Sequence, residues 1–193
     1  QVYSARAYSW RGIFGVHTWF AVKPTDALEF AVYEVIGWRV RRGAPAVAIS
    51  TRPADGRWFD AIPEVIADVR GDGVDDMIKR IDQAARGYPY MNEYTVWPGP
   101  NSNTFTAHVA RAVPELKLDL PPTAIGKDYL PGGSLVAKTP SGTGMQISLA
   151  GLLGIMVGKE EGVEINLLGL TFGLDPLDFA VKLPMAGRIG GSS

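Results

Sequence analysis

The sequence predicts an α+β fold: an antiparallel sheet with two helices, followed by a C-terminal β-meander. Three observations carry this. Short runs rich in β-branched and aromatic residues recur early in the chain, each bounded by turn residues. Two segments, 72–86 and 101–113, place apolar residues at helical spacing. From Pro121 onward glycine becomes frequent and charge sparse, and long apolar stretches are broken by glycine. These shifts divide the chain into an α+β core over 1–120 and a Gly-rich meander over 121–193, packed on the core or extending it.

The elements follow in order. Residues 2–9 alternate loosely and predict an edge strand, ended by Arg11 and Gly12. Residues 13–22 are nearly all apolar, with His17 and Thr18 as the polar members, as in a strand buried on both faces. Lys23 to Asp26 make a turn, and a second strand runs from Leu28 to Val35, finishing over Trp38 to Val40. If that turn is centred between Thr25 and Asp26, paired residue numbers sum to 51 and His17 faces Glu34. Ala46 to Thr51 is a further strand, Pro53 to Gly56 a tight turn, and Arg57 to Phe59 starts the return. Residues 64–70 complete a strand. Asp72 is positioned to cap the first helix, with Asp75 and Asp76 in its first turn and Gly87 closing it. Tyr94 to Trp97 is a short strand leading to the second helix.

In the C-terminal part, Met145 to Val157 and Val163 to Phe172 are strands joined by a turn over Lys159 to Gly162. Asp175-Pro176 is another turn and Phe179 to Leu183 another strand, so residues 134–190 read as a meander. Its apolar surplus has two readings. It packs on the first layer as a second sheet wall, or it forms a face for a lipid, a membrane surface or a partner. The tail, Gly190 to Ser193, is expected to be disordered.

Composition limits the function classes. A net charge of −1 leaves no electrostatic footprint for nucleic acid. The absence of cysteine excludes disulfides, thiolate metal sites and a cysteine nucleophile. With two histidines besides, no structural zinc site is expected, and no metal or cofactor is assigned. No run of 18 apolar residues predicts a transmembrane helix within these residues.

The sharpest candidate site lies at Pro98-Gly99-Pro100-Asn101-Ser102-Asn103-Thr104-Phe105. The prolines forbid helix before Asn101, which is a good N-cap. Ser102 then sits among unsatisfied amides at the positive end of a helix, a setting suited to a nucleophile or an anion. A serine needs a general base in reach, which His17 could supply and Glu34 could orient. In the plainer reading Ser102 is a first-turn residue and His17 a core histidine. His108 is about 600° around the helix from Ser102, so it points away and is assigned to the surface or an interface. Gly132 to Thr139 lacks the glycine before the lysine of a phosphate loop, and Ser141 to Gly144 reads as a turn.

His17-Thr18-Trp19-Phe20-Ala21-Val22 and Asn101-Ser102-Asn103-Thr104-Phe105 carry a resemblance. In those motifs the first 114 residues resemble circularly permuted papain-like enzymes of the NlpC and lecithin retinol acyltransferase type. That resemblance implies a permuted papain-like sheet and acyl hydrolysis or acyl transfer to a lipid or peptide. Ser102 would be the nucleophile in place of the family's cysteine and His17 the base. Glu34 or Glu29 would orient the base, and amides near Asn101 and Asn103 would hold the oxyanion. The serine equally fits a scaffold without catalysis: a cell-envelope module that binds a lipid or serves as an accessory subunit of a membrane complex. Over nearly its full length the chain also resembles an uncharacterised bacterial family known as a domain of unknown function. That implies an envelope location, facing the periplasm and anchored by an upstream hydrophobic segment.

Overall fold

A computed structural model describes residues 1–191; Ser192 and Ser193, part of the expected disordered tail, lie outside the described residues. Gly190 ends the last strand instead. Two antiparallel sheets and three helices form the α+β fold expected. The first sheet contains β1 (Val2–Arg6), β2 (Val16–Val22), β3 (Ala31–Val35), β4 (Val47–Thr51) and β5 (Glu64–Ala67), in the order β4-β3-β2-β1-β5. β1 is therefore internal, not an edge strand, because β5 pairs along its free side.

Two helices cover one face. α2 (Val74–Arg86) buries Met77, Ile81 and Ala85, and α3 (Ser102–Ala112) buries Phe105, Val109 and Ala110. These pack with Val2, Phe20, Val22, Tyr33 and Val35 of the sheet. The alternate strand residues, Tyr3, Ala5, Trp19, Ala21 and Val32, pack on the other face beneath Ala54 and Trp58 of the 52–63 loop. Period-2 alternation thus gives β2 a helix face and a loop face.

Several sequence expectations shift. The β2–β3 pairs are Phe20↔Tyr33, Ala21↔Val32 and Val22↔Ala31, so the numbers sum to 53 and not 51. The longer turn moves Glu34 to a diagonal neighbour of His17 on the same face. Trp38 to Val40 belongs to a short helix, α1 (Gly37–Arg41), instead of finishing a strand. There a Cβ on Gly37 would lie 2.5 Å from the Tyr94 ring. Residues 9–13 form a 3-10 turn ahead of β2, and Arg57 to Phe59 contributes a single bridge, Trp58↔Ala61. Tyr94 to Trp97 is irregular. Gly73, not Asp72, is the N-cap of α2, with φ +83° and no side-chain bond.

The second sheet is a seven-stranded meander: β6 (Val136–Lys138), β7 (Met145–Leu149), β8 (Leu153–Gly158), β9 (Gly162–Leu167), β10 (Leu170–Asp175), β11 (Ala180–Leu183) and β12 (Gly187–Gly190). Its faces are inverted relative to an ordinary covered sheet. Toward the first unit it buries Gln146, Ser148, Glu164, Asn166, Thr171 and Lys182. Away from it run three apolar rows. Val136, Ile147, Ile155, Ile165 and Phe172 stand side by side across five strands. Met145, Val157, Val163, Leu174, Val181 and Ile189 form the second row, and Leu149, Leu153, Leu167 and Leu170 the third. All are exposed. The apolar surplus therefore does not pack on the first layer; the seam is polar and the apolar wall faces out.

Buried ions hold that seam. Lys127 pairs with Glu164, and Lys182 lies 2.7 Å from Glu164 and 2.7 Å from Asp119. Arg188 bridges Asp119 at 3.0 Å and Asp175 at 2.8 Å. From α3, Arg111 donates to Gln146 at 2.7 Å, and Gln146 donates to Asp128 at 2.7 Å. Burial opposes the Glu164 charge, but Lys127 and Lys182 outweigh it and hold the carboxyl below its ordinary value.

Candidate functional site

α3 starts where the Pro-Gly-Pro turn releases the chain. Asn101 Oδ1 accepts from the amides of Asn103 at 2.9 Å and Thr104 at 3.2 Å. Thr104 Oγ1 accepts from the Asn101 amide at 3.1 Å, completing a capping box. Asn101 Nδ2 also donates to Val96 and Ile125 carbonyls, both at 3.0 Å. Gly126 permits this approach: its φ is +100°, and a Cβ there would sit 2.3 Å from the Asn101 amide nitrogen.

Ser102 is buried at this helix start. Its neighbour Asn103 donates from Nδ2 to Val16 at 3.0 Å and Ile125 at 2.8 Å, and accepts from Thr18 Oγ1 at 2.9 Å. Thr18 also shares a hydrogen bond with Thr106, at 2.8 Å. The helix start is thus sewn to β2 through Thr18. The Asn103 amide, an expected oxyanion donor, is already engaged by the cap.

His17, next to Thr18 in β2, projects to the loop face. Its Nε2 lies 3.2 Å from Glu34 Oε2. The ring stacks on Trp58 with centroids 3.5 Å apart and planes 13° from parallel. Arg52 donates from Nε and Nη2 to Glu34 Oε1, both at 3.3 Å, and lies over the Trp19 ring. Burial lowers the His17 pKa, with the Glu34 hydrogen bond opposing, and the ring is neutral at pH 7. Burial alone would raise Glu34, but His17 and Arg52 bring it below its ordinary value. An ionised Glu34 requires Nε2–H as the donor, leaving Nδ1 as the ring acceptor.

The structure therefore brings His17 and Glu34 together, and Asn101, Ser102 and Asn103 together. Among the described residues no hydrogen bond joins Ser102 to His17, and strand alternation sends His17 away from the α3 face. Glu29 is exposed, in the turn before β3. His108 is half-buried, edge-on to Tyr88 at 5.3 Å, and lines a cavity of about 370 Å³ with Arg111 and Leu130. Among the described residues no cluster of His and carboxylates could hold a metal ion, and no helix is long and apolar enough to cross a membrane. Arg52 and Trp58 escaped the sequence reading because they lie in a loop without periodicity. An aromatic pair beside Asp-Gly, Trp58-Phe59 after Asp55-Gly56, was the available clue.

A helix-faced antiparallel sheet with a clamped histidine, joined to an outward-apolar meander, defines the class as a two-sheet α+β protein. A family model described as "Protein of unknown function (DUF3750)" matches residues 1–129, and the chain belongs to that family. The match ends before β6 begins at Val136. No curated protein and no solved structure matches the chain.

Proposed function

We propose that this protein is a non-catalytic module of the cell envelope that works by docking through the outer face of its second sheet. One observation carries the reading. That face presents three uninterrupted apolar rows, with Lys138 as its charged member at the β6 edge. Exposed apolar area of this continuity marks an interaction surface on a folded protein. Beside it, among the described residues no hydrogen bond joins the helix-start serine to His17, which argues against an activated nucleophile. His17 donates to Glu34 on the other sheet face, and the Asn103 amide is spent on the cap.

The second reading is acyl hydrolysis or acyl transfer to a lipid or peptide, with Ser102, His17 and Glu34 as its machinery. The His17–Glu34 hydrogen bond favours it, since an oriented imidazole is what a serine nucleophile requires. A broad fluorophosphonate probe separates the two readings. Docking without catalysis predicts no labelling of the folded chain. Labelling that disappears in both Ser102→Ala and His17→Ala would establish an activated serine and overturn the proposal.

A further inference from the structure

We infer that the occupant of the outer face is a second copy of this chain, docked face to face so that two meanders close into one sandwich. The inference rests on the docking reading above and names its partner.

Area supports it first. Three apolar rows, each side chain roughly half exposed, amount to an area on the order of 1,000 Å², above the ~800 Å² per partner of a stable interface. A typical monomer's largest patch is about 300–600 Å². Shape supports it next. β9 is the central strand, with three strands on either side, so a two-fold axis near Ile165 superposes the face on itself. Sheets stack with about 10 Å between them, the space two layers of Ile, Leu and Val fill. Charge is permissive, since Lys138 lies at the rim and no like charges meet in the centre.

A bilayer fits the same face less well. β6 and β12 are the edge strands: Arg111 and Ser134 bond the Lys138 and Val136 carbonyls of β6, but among the described residues no strand pairs with the outer backbone groups of either edge. Sinking the sheet into hydrocarbon would strand those groups without partners, whereas a sandwich leaves both edges in water. Among the described residues the face also carries no ring of cations to hold anionic headgroups.

The test compares the mass of the full chain in solution, by light scattering or sedimentation, with that of Ile165→Asp and Ile155→Asp. Both positions are exposed in the single chain, so the variants should keep the wild-type circular dichroism. The inference expects two copies for the wild type and one for each variant, with Leu28→Asp, on the exposed β2–β3 turn, remaining at two. The absence of native cysteine adds a geometric check: Ile165→Cys should cross-link to itself with a short bismaleimide, and Leu28→Cys should not. A wild type that stays single at high concentration overturns the second copy. Co-sedimentation with phosphatidylglycerol vesicles then separates the failures. Vesicle binding lost in Ile165→Asp would keep the docking face and replace its occupant. A single chain that binds no vesicle would remove the docking reading as well. Soluble species larger than two copies would overturn the closed two-fold pair.

Discussion

Nε2 of His17 on β2 lies 3.2 Å from Oε2 of Glu34 on β3, the next strand in sequence, and the two are diagonal in the sheet. Glu34 is buried and also receives two bonds from Arg52, which retains partial exposure. Glu34→Gln leaves Arg52 short of its counter-charge and weakens the hold on the imidazole. A loss of about 2–3 kcal/mol in urea unfolding is expected, below the full cost of breaking a wholly buried pair.

Acid should act through the same pair. Burial holds the His17 pKa below 6.5, while the unfolded chain takes up the proton near 6.5. Below that pH the unfolded state binds more protons, so stability falls as pH drops from 6.5 toward the folded value. Glu34, held below 4.5 in the fold, contributes fully above 4.5 and loses its contribution as pH falls through its folded pKa. Both effects weaken the fold in acid. Urea melts of the wild type between pH 7.5 and 5 should therefore fall more steeply than those of His17→Gln; equal slopes would contradict the assignment.

At the start of α3, Asn101 accepts two amide bonds and donates two to carbonyls. Asn101→Ala should cost about 2 kcal/mol, the upper end for a lost cap, because buried carbonyls lose their donors too. Gly126→Ala should cost a comparable amount by a different route, forcing a left-handed residue and displacing the same amide. Thermal melts of the two single variants and the double should show clear non-additivity.

The seam between the sheets turns on Glu164, which faces both Lys127 and Lys182. Glu164→Gln removes the carboxylate the two lysines share, leaving Lys182 with Asp119 and Lys127 with Asp128, and should destabilise by about 2–3 kcal/mol, below the full cost of stranding a buried charge. An unchanged unfolding midpoint would mean that the seam is not held by these ions.

The fold was legible where a pattern spans several residues. The α2 stripe of Met77, Ile81 and Ala85 and the Pro-Gly-Pro-Asn entry to α3 predict elements that form, as do the Gly-spaced apolar runs of the meander. Trp38 to Val40 misled because its composition suits a strand, while the Gly37 contact with Tyr94 is a long-range fact. The pairing of His17 with Glu34 was visible in its face but not its register, since a one-residue shift of the turn centre moves the sum from 51 to 53. The inversion of the second sheet was the least legible. Alternation shows that Ile165 and Glu164 face opposite ways, but only Lys127 and Lys182 reveal that the charged face is the buried one.

Ile155 and Met156 test that inversion most directly, because they are adjacent in β8, with 52% and 1% of their surface exposed. The measurement is urea unfolding of Ile155→Asp and Met156→Asp at concentrations low enough to keep chains apart. Ile155→Asp should stay within about 0.5 kcal/mol of the wild type, as surface substitutions do. Met156→Asp, placing a second carboxylate across from Glu164, should lose about 3 kcal/mol or more. The reverse order, with Ile155→Asp unfolding the protein and Met156→Asp tolerated, would mean that the apolar face is the core and would contradict the docking account.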